Sequence, residues 1–372
     1  MKKASKRKAV RLLSLLTALV LLVFTAAGCS GGGTGDGSQK PGEGAAKIGV
    51  MLLGTRDDFG YNQSIYEMTQ GIPEATGLEV MLKENVPESA EAESVMEELI
   101  SQGCGIIFAS SYGHRDPALN VAARHPEIAF YVSNGEAKDN LSALQGCFWD
   151  SMYLCGMAAA MASESGKLGF VAPFAIPTCI SSVNAFELGA QSVNPDAVTS
   201  VVFTGSWADP GVQTNAVNSM TDSGIDVIAQ FQDSTKTIIE LCSRKGIKAL
   251  GFHIDAMELA PDAWLTGCKS AWTQHYAQFK AAKEGNYEPI SIRGGFTEGM
   301  CDLSSFGSSL TDEQIAALEA EKAKFVSGKK TTFVGPIYDQ DGNKVIEDGY
   351  KATVADVDSY NWLVKGVNGV LG

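Results

Sequence analysis

The sequence has little of what metal and phosphate sites need. Only four histidines are scattered through it, and none of its eight cysteines falls in a C-x-x-C pair. A zinc centre is therefore not expected. Loops rich in arginine or lysine are missing, and no glycine-rich loop opens a helix as a phosphate cradle would. Acids outnumber bases by 43 to 29, for a net charge of −14. That balance argues against nucleic acid and against docking on anionic lipid by charge, and it disfavours an anionic ligand. No cofactor is called for, and no short-period repeat is present.

The first 28 residues differ from the rest. Residues 1–11 hold six positive charges and no acid, residues 12–27 hold no charge at all, and "GCSGGG" follows. The pattern is a basic n-region, an apolar h-region and a small-residue cleavage site, so residues 1–28 read as a signal peptide. The apolar run is short for a bilayer span. Cleavage before Cys29 would expose an N-terminal cysteine and shift the net charge from −14 to −20 by removing those six positive charges. A cysteine after "AAG" resembles the lipobox of bacterial lipoproteins, departing from it at Ala26, where leucine is usual. The alternative is a plain secretory signal with a chance cysteine. Residues 29–46 then form a lipid-bearing cysteine and a Gly/Ser-rich tether with too little apolar surface to fold. The expected location is the outer face of a bacterial cell membrane. Seven cysteines remain, an odd number, mostly in apolar contexts such as "IIELCSRKG". They read as small buried hydrophobes.

From Lys47 onward short apolar runs alternate with longer amphipathic stretches. "KIGVMLL", "LEVMLKE", "GIIFAS" and "IAFYVSN" read as strands with helices between them. A second series begins near Lys167 with "KLGFVAP", "VTSVVFTG", "DVIAQFQ" and "KALGFHI". "LTDEQIAALEAEKAKFVSGK" reads as a helix capped by Thr311, and "TFVGPIYDQDGNKVIEDG" as a hairpin. Two consecutive β-α series describe an α/β molecule with two lobes, each a parallel sheet flanked by helices. Ligands of open α/β sheets bind beyond the C-terminal ends of the strands, so the strand-to-helix loops are the places to inspect.

Those loops share a theme. The first offers Tyr61 and Asn62, the second Tyr112 and Asp116, and the third Trp207 and Asp209. The fourth offers Gln230, Gln232 and Asp233, and the fifth His253 and Asp255. Aromatics can stack on a flat ring while amides and carboxylates bond its edge. The expected ligand is neutral and planar. Asp116 and Asp209 each precede a proline and equally suit the N-cap of a helix. Asp57 and Asp58 read as caps or solvated charge, and Phe59 as packing beneath its loop.

"DDFGYNQS", "VNAFELGAQSVNP", "GSWADP", "DVIAQFQDS" and "GPIYDQDG" together resemble the basic membrane protein family. These are bacterial substrate-binding lipoproteins of ABC transporters, several of which bind purine nucleosides or free bases. The resemblance implies a type I periplasmic-binding-protein fold with three crossovers between lobes. Residues 47–165 with about 269–290 would form lobe I, and residues 166–268 with about 291–372 lobe II. It further implies that Tyr61 and Trp207 stack on the base, that Asn62 and Asp116 read its edge, and that no metal takes part. At the family's ribose-binding acid this chain has His253, and where a lysine is usual it has Ser270, followed by Trp272. A free base such as adenine then suits the site better than a nucleoside, with Asp255 or Asp233 as alternative sugar-binding acids. The implied partners are a small-molecule ligand, an ABC permease and, through the lipid, the membrane; the chain would be a monomer. Two other readings stand beside this one. A sensory receptor of the same fold would hand its signal to a membrane protein. A lipid-anchored nucleoside hydrolase would need clustered carboxylates, and Asp57–Asp58 is the only such pair.

Overall fold

The computed structural model describes residues 39–371. The expected signal peptide, Cys29 and most of the tether lie outside them. The end of the expected tether is folded instead: Gly42 N–H donates to the carbonyl of Glu127 (2.9 Å), Gly44 N–H to that of Lys283 (2.8 Å), and Ala45 is buried in the core of the first sheet. Two sheets organise residues 40–372, which form one compact unit.

The first sheet contains β1 (Lys47–Met51), β2 (Glu79–Lys83), β3 (Cys104–Ala109), β4 (Ala129–Val132), β5 (Leu141–Gly146) and β11 (Ser291–Gly294). Their spatial order is β11-β5-β4-β3-β1-β2, parallel throughout. Strands buried on both faces read as continuous apolar runs, as Ile107, Phe108 and Ala109 do. Alternate residues face opposite layers. Ile48, Val50, Ile106 and Phe108 pack on helices α1 (Tyr61–Thr76) and α8 (Thr273–Lys283). Met51 and Ile107 pack on α2 (Glu91–Ser101) and α3 (Arg115–Ala122).

The second sheet runs β12-β10-β9-β8-β6-β7-β15. Its members are β6 (Lys167–Ala172), β7 (Val198–Phe203), β8 (Val227–Gln230), β9 (Lys248–His253), β10 (Trp264–Ser270), β12 (Cys301–Leu303) and β15 (Val367–Asn368). Only the β10–β12 pair is antiparallel. Helices α4 (Trp149–Ala162), α5 (Pro177–Gln191) and α9 (Asp312–Val326) cover one face. Helices α6 (Pro210–Asp222) and α7 (Lys236–Lys245) cover the other. The expected hairpin is β13 (Ile337–Tyr338) with β14 (Lys344–Ile346). A short helix, α10 (Val354–Val357), follows. Thr311 caps α9 in a reciprocal box with Gln314, as its sequence suggested.

The chain crosses between sheets three times, after β5, β10 and β11. The first crossing comes earlier than the expected break at 165/166. Helix α4 packs on α5 and shares the apolar cluster of the second sheet, so Trp149–Ala162 belongs to lobe II. The third comes slightly later than 290/291, because β11 pairs with β5 in lobe I.

All seven cysteines among the described residues are free and buried. Burial pushes the thiol of Cys104 up to about 11 and those of Cys147, Cys179 and Cys242 up to about 12. They pack as small apolar side chains.

Candidate functional site

The loop after β1 is built around Asp58. One carboxylate oxygen accepts from the N–H of Gly60 (3.0 Å) and of Gln63 (2.9 Å). The other accepts from the backbone N–H (3.0 Å) and the amide Nδ2 (2.8 Å) of Asn62. The amide oxygen of Asn62 in turn accepts from Gly54 N–H (3.0 Å). Asn62 is thus buried and engaged at both ends in shaping its own loop. Asp58 acts as a local clamp on the start of α1, where four N–H groups lack helical partners.

Tyr61 opens α1, and its hydroxyl donates to the carbonyl of Ser110 (2.5 Å) at the end of β3. The ring lies 5.1 Å from that of His253, across the gap between the sheets. Main-chain bonds close that gap. The carbonyl of Asp233 accepts from Tyr61 N–H (3.0 Å), and the carbonyl of Phe59 accepts from Thr235 N–H (3.1 Å) and Oγ1 (2.8 Å). Gly60 and Ser234 form a single antiparallel bridge. Phe59, with φ of 55°, does not pack beneath its own loop. It packs on the apolar cluster of the second sheet, with Lys236 Nζ 4.6 Å from its ring centre.

Trp207 stands on the loop after β7, 37% exposed, edge-on to Phe174 at 5.5 Å. Its carbonyl accepts from Asp233 N–H (2.9 Å). With the amide of Gln232 oriented to satisfy its neighbours, Gln232 donates to the carbonyls of Trp207 (2.8 Å) and Ser206 (3.1 Å). Buried Gln232 therefore positions the Trp207 loop. Asp209 caps α6 by accepting from Gly211 N–H (2.7 Å) and Val212 N–H (3.1 Å).

His253 lies buried at the end of β9, Nδ1 3.0 Å from Ser270 Oγ and 5.5 Å ring to ring from Phe148. Burial pushes the imidazole down to about 3, so it is neutral in the physiological range. Its Nε2 is 4.0 Å from Asp233, beyond hydrogen-bond reach. Burial, reinforced by Asp58 and Glu88, pushes the Asp233 carboxyl up to about 7. Asp255 faces a turn instead: its carboxylate accepts from Met257 N–H (3.2 Å) and Ser305 N–H (2.8 Å). Trp272 is half-buried against the core of the first sheet, 4.9 Å from His275. Tyr112 is 76% exposed. Asp116 is exposed in the first turn of α3 and does not cap it, since the helix begins at Arg115.

Tyr61, Trp207, Asp233 and His253 therefore gather where the sheets meet. Asn62, Gln232 and Asp255 have their polar groups engaged by the scaffold. Phe148, Phe174 and Glu88 were not singled out from sequence. Phe174 follows β6 in "APFAIP", so the same strand-to-helix rule points to it. Hollows of about 440 Å³ and about 260 Å³ lie elsewhere, around Lys330, and neither is lined by Tyr61, Trp207 or His253. Among the described residues no group of His, Cys, Asp and Glu could hold a metal ion, and no helix is long and apolar enough to cross a membrane.

Residues 45–331 match the family model described as ABC transporter substrate-binding protein PnrA-like. The chain belongs to this family. Its PnrA-like relatives include the purine-binding protein of Brucella abortus, 33% identical over 352 residues, 94% of this chain and 99% of that one. Basic membrane protein A of Borreliella burgdorferi is 28% identical over 267 residues, covering 69% and 74% of the two chains. Among solved structures, an ABC transporter solute-binding protein from Conexibacter woesei superposes with a TM-score of 0.67 at 18% identity, covering 77% of this chain and 98% of that one. A transcriptional activator of the comK gene from Bacillus halodurans gives 0.69 at 23%, covering 77% and 100%. These two show the fold: parallel sheets flanked by helices, of the periplasmic-binding-protein type. PnrA-like proteins are solute binders rather than enzymes by family.

Proposed function

We propose that this substrate-binding protein captures a purine base between its two lobes and delivers it to an ABC permease from the outer face of the cell membrane, held there by a lipid on Cys29. The observation that carries the reading is Asp233. Its main chain bonds at once to Tyr61 of one lobe and to the Trp207 loop of the other. Closure thereby brings two aromatic rings to one place, which suits a flat ligand. The Brucella relative named as purine-binding supports the ligand class.

Preference for a free base over a nucleoside rests on which groups are engaged. Ribose hydroxyls desolvated in a closed cleft each need a partner, or cost about 1–3 kcal/mol. His253 Nδ1 is already paired with Ser270, and the Asp255 carboxylate is held by two N–H groups. Adenine is expected to bind at least about tenfold tighter than adenosine, or about 1.4 kcal/mol. Calorimetric titration of the mature domain with adenine, adenosine, guanosine and inosine measures this. A nucleoside that binds tighter than its base reverses the preference, and no binding of any purine removes the ligand class.

The anchor has its own test. Residues 30–44 hold no large apolar side chain, so membrane attachment depends on the acyl chains of Cys29. Cys29→Ser is expected to move the protein into the soluble fraction. If the variant still sediments with membranes after a carbonate wash, the anchor lies elsewhere.

A further inference from the structure

We infer that the Asp233 carboxyl reads the purine edge as a neutral acid, donating its O–H to a ring nitrogen and accepting from the neighbouring amine, so that ligand capture takes up a proton. This rests on the purine reading above and adds to it the group that recognises the edge.

Asp233 is the residue whose N–H and carbonyl tie the Trp207 loop to Tyr61. Its side chain reaches toward His253, with Oδ1 4.0 Å from Nε2, and that ring lies 5.1 Å from the Tyr61 ring. The carboxylate of Asp58 accepts four N–H bonds. One oxygen of Glu88 accepts from Ser111 Oγ (2.6 Å) and Gly113 N–H (2.7 Å). Asn62, Gln232 and Asp255 are engaged as described, and Asp116 is exposed. Asp233 is half-buried, and among the described residues no hydrogen bond reaches its carboxyl oxygens; His253 Nε2 is 4.0 Å away. A carboxyl partly withdrawn from water and without a protein donor is free to pair with a ligand held between the lobes.

Its surroundings decide which protonation state meets that partner. Asp58 and Glu88 face it from the first lobe with negative charge. Neutral His253, the Tyr61 phenol and the Cys179 thiol complete the ring of titratable neighbours. No lysine or arginine is among them. Burial and two like charges both favour the protonated acid, in agreement with a value near 7. A protonated carboxyl offers one donor and one acceptor side by side. The 6-amino edge of adenine offers one acceptor and one donor in the same arrangement, and the two match in a bidentate pair. An ionised carboxylate offers two acceptors and would suit a double-donor edge such as the N1–H and 2-amino pair of guanine.

Opening the cleft returns Asp233 to water and lowers its affinity for the proton, so the closed complex holds the proton more tightly than the open protein. Binding is then strongest near and below the ordinary aspartate range of the open protein, weakens by up to about tenfold per pH unit as pH rises from there to the closed-state value, and levels off above it. The test is calorimetric titration with adenine from about two pH units below that value to about one above it, in buffers of differing ionisation enthalpy. The expected result is affinity falling as pH rises toward that value, with net uptake approaching one proton well below it and fading above it. Asp233→Asn, which keeps one donor and one acceptor, is expected to hold adenine within about threefold of wild type at low pH and to flatten the pH profile. Asp233→Ala should lose about tenfold or more at low pH. A flat wild-type profile with no proton uptake overturns the inference while leaving purine binding intact. So does affinity that rises with pH and is lost in Asp233→Asn, which would assign a carboxylate reader. Absence of any purine binding strikes the underlying reading instead.

Discussion

Gly60→Val leaves the protein folded and costs it about a hundredfold or more in ligand affinity. A Cβ at Gly60 would lie 1.4 Å from the carbonyl oxygen of Asp233 and 2.4 Å from its carbonyl carbon. Those atoms are backbone and cannot turn aside. The backbone at Gly60 is extended, with φ of −166°, so the conflict comes from contact and not from local strain. Because the obstructing atoms belong to the other lobe, the molecule relieves the clash by opening, and neither core is disturbed. A ligand held between lobes favours the closed state through contacts with both. Blocking closure removes one set, and a hundredfold loss corresponds to about 2.7 kcal/mol. Small-angle scattering should show wild type contracting on addition of adenine and the variant unchanged, with melting temperatures of the free proteins within a few degrees. A variant that contracts and binds like wild type would show that the bridge between Gly60 and Ser234 does not gate the site.

The second large effect lies in the core. Helices α4 and α5 cross so closely that each presents a glycine to the other's backbone. A Cβ on Gly156 would meet the carbonyl oxygen of Phe186 at 1.9 Å, and one on Gly189 the carbonyl oxygen of Tyr153 at 1.9 Å. The pair carries Met152, Leu154, Cys155, Ile180, Val183 and Phe186 into the main core of lobe II. Gly189→Val must push the helices apart along their whole contact and leave voids on either side. Overpacking of this kind typically costs 1–3 kcal/mol, and a backbone-to-backbone conflict belongs at or above the top of that range, about 3 kcal/mol. For a protein of this size that is a fall of about 4 °C in melting temperature. Thermal and urea unfolding followed by circular dichroism measure it. A melting temperature within about two degrees of wild type would mean the crossing yields freely.

These two glycine sites show what the sequence made legible and what it hid. The β-α alternation could be read from Lys47 onward because amphipathic helices such as α2 and α9 leave a polar face to solvent. Helix α4 is hidden in the sequence for the opposite reason. Residues 151–159 are all buried, so apolar and small residues surround its axis and no stripe marks its period. The expected first lobe boundary falls too late for the same reason. Asp209 could be read as a cap because its partners sit two and three residues away. Asn62 offered the right chemistry for an edge reader, yet Asp58, four residues earlier, engages it first. Phe59 could not be understood locally at all, since the hydroxyl that bonds its carbonyl is 176 residues further on. The loops that form the site followed from the ends of strands. Which side chains in them remain available for a ligand depended on contacts that only folding creates.

The hydrogen bonds that join the loops of the two lobes at this seam run between carbonyls and N–H groups of Phe59, Tyr61, Asp233 and Thr235, apart from one threonine hydroxyl. Nearly every amino acid brings those main-chain groups. Side chains lining the same seam, including Asp233, Phe174 and Trp207, can therefore be exchanged one at a time without rebuilding the machinery of capture. A lineage could acquire appetite for a different solute by altering a few tips while the hinge and the seam go on working as before.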